Sequence, residues 1–271
     1  MSIRSVQRAA SAERRRRGVP AMLGRSALAG VLLCSVAVVQ AADCPPLREA
    51  RIPPIRDLVD PIDPINISKV KTQLLDYHAG NYDYDVAAVL SDARVYVERR
   101  LKEPVTRPAV VLDIDETSLS NWPNLKGDDF GFFKDIECNP AAIERPCGFN
   151  NWVMLAQAPA IPPTRDFFNY VIGKGVAVFY ITGRTHSQRE KTVENLERAE
   201  FKGWTKLFTR PDDDHEKTIV PFKSGVRAEI EAKDKDMGYR IIVNVGDQRS
   251  DLEGGHAECT FKVPNPFYFI R

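Results

Sequence analysis

The chain is short of almost every feature that would assign it a specialised class. Net charge is nearly absent, with 38 Lys and Arg against 37 Asp and Glu over 271 residues. Cysteine is sparse at five and histidine sparser at four. So few of either, scattered along the chain, argue against a Cys/His metal centre. Internal repeats and low-complexity tracts are missing too, which excludes a solenoid or a tract-driven disordered protein. The apolar stretch Ala27 to Val39 is thirteen residues, short of a transmembrane helix, which needs about 20. What remains, 43% hydrophobic and 28% charged, is an ordinary globular composition.

The charge balance hides an asymmetry. Residues 1–42 hold seven arginines and one acid, Glu13, so the rest carries 31 basic and 36 acidic residues. A nucleic-acid polymer is therefore not an expected partner. Arg25, the apolar run and Gln40-Ala41-Ala42 read as a secretory signal over 1–42, with small residues for cleavage at Val39-x-Ala41 or Gln40-x-Ala42. No transmembrane anchor is expected. The polar, arginine-rich stretch before Met22 exceeds what such a signal needs, which points to Met22 as a possible true start. Removal of the signal also removes Cys34, leaving Cys44, Cys138, Cys147 and Cys259. An even count in an exported, periplasmic or secreted chain predicts two disulfides. Four cysteines allow three connectivities; Cys138–Cys147 with Cys44–Cys259 is the favoured pairing.

Residues 43–65 are proline-rich and begin an N-terminal arm and helical region over 43–107. Val86, Val89, Leu90, Ala93, Val97 and Leu101 recur at helical spacing. Three apolar runs follow: 109–115, Val176–Ile181 and Arg240–Val245, each running into polar residues, the last two into Gly-containing turns. Helical patterns lie near 164–173, 187–201 and 224–237. This alternation predicts an α/β fold, a doubly wound parallel sheet with helices on both faces, and a ligand site beyond the carboxyl ends of the strands. Residues 121–163 interrupt it with aromatics, prolines and two cysteines, and read as a cap inserted into a core of 108–120 and 164–271.

Chemistry concentrates at the strand ends. Asp113 and Asp115 are two apart, so an extended strand projects them to one side, where their repulsion calls for a divalent cation. A second acidic pair, Asp247 and Asp251, follows the third run. Hard oxygen donors without nearby His or Cys point to Mg²⁺, held by few carboxylates plus water and substrate phosphate. Thr182-Gly183-Arg184 adds a hydroxyl, a close backbone N–H and a cation, and Lys223 adds another. The set suits phosphoryl transfer through an aspartyl intermediate.

DIDET at 113–117, FYITGR at 179–184, Lys223 and GDQRSDLEGG at 246–255 resemble the haloacid-dehalogenase-like (HAD) superfamily. More closely, with SLSNWP (118–123), NNW (150–152), APAIPP (158–163), PFKSGVR (221–227) and PNPFY (264–268), they resemble its secreted acid phosphatases. That group includes plant acid phosphatases, vegetative storage proteins and bacterial lipoprotein phosphatases. The resemblance implies a Rossmann-like core with Asp113 as nucleophile and Asp115 as general acid and base. Thr182 and Lys223 would hold phosphoryl oxygens; Asp113, the carbonyl of Asp115, Asp247 and Asp251 would surround the metal. An acid at 115 separates phosphatases from the dehalogenases, and retention of Asp113 separates the chain from storage relatives that lost it. Cys34 follows Leu32-Leu33, which departs from a lipoprotein signal.

Several residues keep two readings. Arg184 contacts substrate or pairs with a local acid. Trp122, directly after the catalytic loop, stacks on a substrate ring or joins a small aromatic core. Glu116 reads as a structural hydrogen-bonding residue, His186 as structural despite following the phosphate-binding turn, and Asp212-Asp213-Asp214 as a solvated loop. The expected substrate is a small phosphomonoester: a nucleotide, aryl phosphate or sugar phosphate. Alternatives are a phosphotransferase with the same intermediate, or a storage or ligand-binding surface protein on the same fold. The oligomeric state stays open.

Overall fold

The computed structural model describes residues 44–46, 48, 51, 65–139, 147–233 and 237–270. The signal segment, the Met22 start, Cys34 and most of the proline-rich arm lie outside the described residues. Two helices come first, α1 (Ile67–Gly80) and α2 (Tyr82–Arg100). Asn66 caps α1 by accepting from the Ser68 amide at 2.9 Å. The apolar positions read from the sequence are the ones α2 buries: Val86, Val89, Leu90, Ala93 and Val97.

The sheet then opens with β1 (Pro108–Leu112), followed by α3 (Trp122–Gly127), α4 (Phe149–Leu155) and α5 (Pro162–Gly173). Next come β2 (Ala177–Thr185), α6 (Arg189–Arg198), β3 (Lys206–Arg210) and α7 (Val220–Glu231). The chain ends with β4 (Arg240–Gly246), α8 (Arg249–Leu252) and β5 (Cys259–Lys262). All four pairings are parallel, in the order β3-β2-β1-β4-β5. The chain winds outward from β1 to β3, then returns to the other side of β1 as β4. The winding therefore reverses between β1 and β4, where doubly wound sheets place their ligands.

Strand alternation makes two cores. Val110, Leu112, Val178 and Tyr180 pack with Leu90, Phe168 and Leu196 on one face. Ala109, Val111, Phe179 and Ile181 pack with Val226 and Ile230 of α7 on the other. The near-continuous apolar runs follow from burial on both faces.

Two local expectations are corrected. Thr182-Gly183-Arg184 is not a turn: β2 continues through Thr185, absorbing the change of direction as a register shift against β3 between Thr182 and Thr185. The helix expected at 224–237 occupies 220–231 instead, because Pro221 suits the unpaired first turn of a helix. Strand β3 has no counterpart in the sequence reading, since Lys206, Thr209 and Arg210 dilute its apolar signal.

The ends of the 121–163 segment are zipped together. Ser120 N–H donates to Pro159 O at 2.8 Å and Ile161 N–H to Ser118 O at 2.9 Å. Within it, Cys138 and Cys147 form a disulfide, and Cys44 bonds to Cys259 at the start of β5. Among the described residues, no helix is long and apolar enough to cross a membrane.

Candidate active site

The site starts where β1 stops. Asp113 follows Leu112, and its amide donates to Val245 O at 3.0 Å, so β1 and β4 jointly fix its backbone. The chain then turns tightly. Ser118 Oγ donates to Asp113 O at 2.8 Å, and Glu116 takes a left-handed φ of +52°. That conformation is costly for a residue with a Cβ and persists only where surroundings impose it. Here the buried Glu116 carboxylate accepts from the Asn121 amide at 2.5 Å, Asn121 Nδ2 at 3.0 Å and Tyr268 OH at 2.7 Å.

Asp113, Asp247 and Asp251 converge, each offering an oxygen within 4.8 Å of the others, and all three are buried. Lys223 Nζ sits between two of them, 2.6 Å from Asp113 Oδ1 and 2.6 Å from Asp251 Oδ1. Three carboxylates against one ammonium leave uncompensated negative charge in a buried place. Burial drives the Asp113 carboxyl well above its ordinary range, with Asp251 and Asp247 adding to the rise against the pull of Lys223. Asp247 is pushed up to about 8 by burial and then by Asp251. The same burial would disfavour the Lys223 ammonium, but Asp113 and Asp251 hold it charged. A hard, all-oxygen donor set with excess negative charge fits a divalent cation.

The rest of this pocket fixes the acids. Gln248 Nε2 and Asn265 Nδ2 each donate to Asp247 Oδ2 at 2.7 Å, and the Gln248 amide donates to Asp251 Oδ2 at 2.8 Å. Gly246 is required by close approach: a Cβ there would lie 2.6 Å from Asp251 Oδ2. This is the physical content of the Gly-Asp motif.

Asp115 has a different setting. Arg184, fully buried, reaches Asp115 Oδ1 with Nη2 at 2.7 Å and Nε at 3.0 Å. Asn121 Nδ2 adds a bond to the same oxygen at 2.9 Å. Burial alone would raise the Asp115 carboxyl, but the Arg184 guanidinium outweighs it and holds the group below its ordinary value. Of the two readings for Arg184, the geometry carries the acid pairing. Thr182 is buried at the carboxyl end of β2, and its Oγ accepts from the Arg184 amide at 3.1 Å, leaving its proton available to a ligand. Gly183 is exposed between them.

Trp122 lies in an aromatic cluster. Its ring stacks on His78 at 3.7 Å and packs against Phe267 at 5.0 Å. Burial pulls His78 down to about 4, so the stacked imidazole is neutral. His186 bonds Thr209 Oγ1 through Nδ1 at 2.7 Å, and Asp212 accepts from Ser187 Oγ at 2.8 Å. Both are local ties. Sequence reasoning missed Asn121, Gln248, Asn265 and Tyr268 as parts of the site. Asn121, Asn265 and Tyr268 sit inside SLSNWP and PNPFY, where a polar residue among apolar and proline neighbours was the available signal.

The chain is similar to known proteins over most of its length. The family model for the HAD superfamily, subfamily IIIB (acid phosphatase), matches residues 61–271. Acid phosphatase 1 of Solanum lycopersicum is 35% identical over 199 residues, covering 72% of this chain and 72% of that protein. The stem 28 kDa glycoprotein of Glycine max is 32% identical over 197 residues, with the same coverage of both. Among solved structures, the class C acid phosphatase from Bacillus anthracis with tungstate bound is similar at a TM-score of 0.54 and 25% identity. It covers 73% of this chain and 86% of that one.

Proposed function

The chain belongs to the acid phosphatases of HAD subfamily IIIB, and from that premise we propose an exported, Mg²⁺-dependent phosphomonoesterase acting through an aspartyl phosphate on Asp113. One observation carries the reading: two carboxylates separated by a single residue, one in an under-neutralised acid cluster with Lys223, the other clamped by Arg184.

In the first step an Asp113 carboxylate oxygen attacks phosphorus and the bond from phosphorus to the ester oxygen breaks. Asp115 gives its proton to the departing alkoxide, which leaves as the alcohol. In the second step water attacks the phosphorus of the aspartyl phosphate and Asp115 takes back a proton. Inorganic phosphate leaves and the Asp113 carboxylate is restored. General acid–base assistance of this kind is worth roughly 10²–10⁴-fold. Lys223 restrains Asp113 and, with the Thr182 hydroxyl and the Gly183 amide, faces the phosphoryl oxygens. Arg184 orients Asp115 rather than the substrate.

Asp113, Asp247 and Asp251 would hold the Mg²⁺, with the Asp115 carbonyl as a further donor. Bound there, it supplies charge neutralisation for the phosphoryl oxygens. The tungstate carried by the Bacillus anthracis phosphatase, a tetrahedral oxyanion, is consistent with a phosphate-sized site on this fold. Residues 121–163 would act as a cap that shapes substrate choice, with Trp122 at its base. Two disulfides support export to an oxidising compartment, periplasmic or extracellular.

The test is hydrolysis of p-nitrophenyl phosphate by oxidised protein with Mg²⁺ and with EDTA. Release with Mg²⁺ that EDTA abolishes and Mg²⁺ restores is the expected result. Turnover indifferent to chelation would remove the metal assignment, and no release of phosphate from any monoester would remove the activity.

A further inference from the structure

We propose that Asn121 is the positioning residue for Asp115, that its own orientation is set by Trp152 of α4, and that Asp115 presents its proton from Oδ2. The proposal rests on Asp115 being the general acid and base. It goes beyond that reading by assigning a second residue, a link to the 121–163 segment and a particular oxygen.

Asn121 is fully buried and its side chain has three partners. Nδ2 donates to Asp115 Oδ1 at 2.9 Å and to Glu116 Oε2 at 3.0 Å, while Oδ1 accepts from Trp152 Nε1 at 2.9 Å. The direction of the amide follows from chemistry. An indole N–H can only donate, so the amide oxygen must face Trp152, and both amide hydrogens must face the two carboxylates. Asparagine satisfies this arrangement with every polar group used. Trp152 is 1% exposed, so its ring has a fixed place in the core and can serve as the reference point.

The bonding of Asp115 is lopsided. Oδ1 receives Arg184 Nη2 at 2.7 Å, Arg184 Nε at 3.0 Å and Asn121 Nδ2 at 2.9 Å, whereas among the described residues Oδ2 receives only Arg184 Nε at 3.2 Å. An oxygen already accepting three hydrogen bonds, two of them charge-assisted, is a poor place for a proton. Oδ2 is left to carry it. Without Asn121 the carboxylate keeps its charge partner in Arg184 but can rotate in the plane of the guanidinium fork, so the transferable proton loses its aim.

The backbone of Asn121 makes a separate bond to Glu116 Oε1, which an alanine would keep. Removing the side chain therefore probes the aim of Asp115 more than the loop. The readout is leaving-group dependence. A misplaced acid hurts substrates whose alkoxide needs the proton and spares those whose phenolate leaves unaided. The experiment measures kcat/KM, which reports the phosphorylation step, for monoesters ranging from p-nitrophenyl to simple alkyl phosphates, using oxidised full-length protein with Mg²⁺. Asn121→Ala is expected to lose roughly 10- to 100-fold with alkyl phosphates and about threefold or less with p-nitrophenyl phosphate. Trp152→Phe, which removes one N–H and keeps a buried ring, should tilt the series the same way by a smaller factor. It decides the matter if Asn121→Ala does not fold. A uniform loss across the series, or no loss, overturns the proposal. Asp115→Asn separates the two levels. If it tilts the series while the Asn121 and Trp152 variants do not, only the positioning role falls. If Asp115→Asn is itself flat, the general-acid reading falls, and the positioning role with it.

Discussion

Asp113 and Asp115 are separated by one residue, yet they stand in opposite electrostatic settings. On the Asp113 side three buried acids share one lysine, and burial raises two of them, Asp247 to about 8. On the Asp115 side a buried arginine answers a single carboxylate through a planar fork and holds it low. The choice of cation follows the task. An ammonium is a compact point charge that can sit between two oxygens, while a guanidinium fixes one carboxylate in a plane. The difference teaches that the fold leaves the Asp113 side short of positive charge, which a divalent cation would supply. The Asp115 side is closed off with the protein's own charge.

The sharpest break in this comparison is Asp113→Asn. The Asp115 side stays intact and the proposed nucleophile is gone, so kcat on p-nitrophenyl phosphate should fall by at least about 10⁴-fold. Because the variant removes one of three crowded acids, its metal-free form should resist urea no less than the parent. Activity within about tenfold of the parent, in protein shown by mass to be free of deamidation, would refute the covalent step.

Lys223→Met strikes the same side through the ammonium that bonds both Asp113 and Asp251. It leaves Asp113 and Asp251 facing one another in a buried site. Unpairing a buried charge costs about 3–5 kcal/mol. Urea unfolding in EDTA should show a loss of that order, and added Mg²⁺ should recover part of it. A loss below about 1 kcal/mol would mean that protons on the acids, whose carboxyls burial already raises, balance the metal-free cluster without Lys223.

How much of this was legible depends on which residues carry it. The three central strands are buried on both faces and therefore announce themselves as apolar runs, and the acids that follow them fell where the topology predicts a ligand. Strand β3 did not announce itself, because Lys206 and Arg210 mark an edge with exposed positions. The continuation of β2 through Gly183 was hidden by residues that normally make turns. At the site, groups that bear charge were visible. Groups that orient them, Asn121, Gln248, Asn265 and Tyr268, were not, since a neutral amide gains meaning only from what lies 3 Å away. Arg184 shows the same limit: its sequence position allowed two partners, and only the fold selects Asp115.

The smallest effect tests the residue between the two sides. Glu116 accepts from Asn121, which serves Asp115, and its charge bears on Asp247 in the acid cluster. Burial, followed by repulsion from Asp115, lifts its carboxyl from 4.5 to about 7. A raised folded value means that the folded protein binds this proton more tightly than the unfolded chain does. The associated stability is fully present below about 4.5 and is lost as pH rises through about 7. Metal-free protein should therefore resist urea better at pH 5 than at pH 8, with Asp247 contributing in the same direction. Glu116→Gln keeps the size and an acceptor but cannot titrate. In EDTA it should flatten the decline between those two pH values by about 2 kcal/mol, somewhat under the full value of such a shift because part of the loss falls below pH 5. An unchanged slope in Glu116→Gln would assign the whole pH dependence to the acid cluster around Lys223. In that case the proton side and the metal side would not be joined through Glu116.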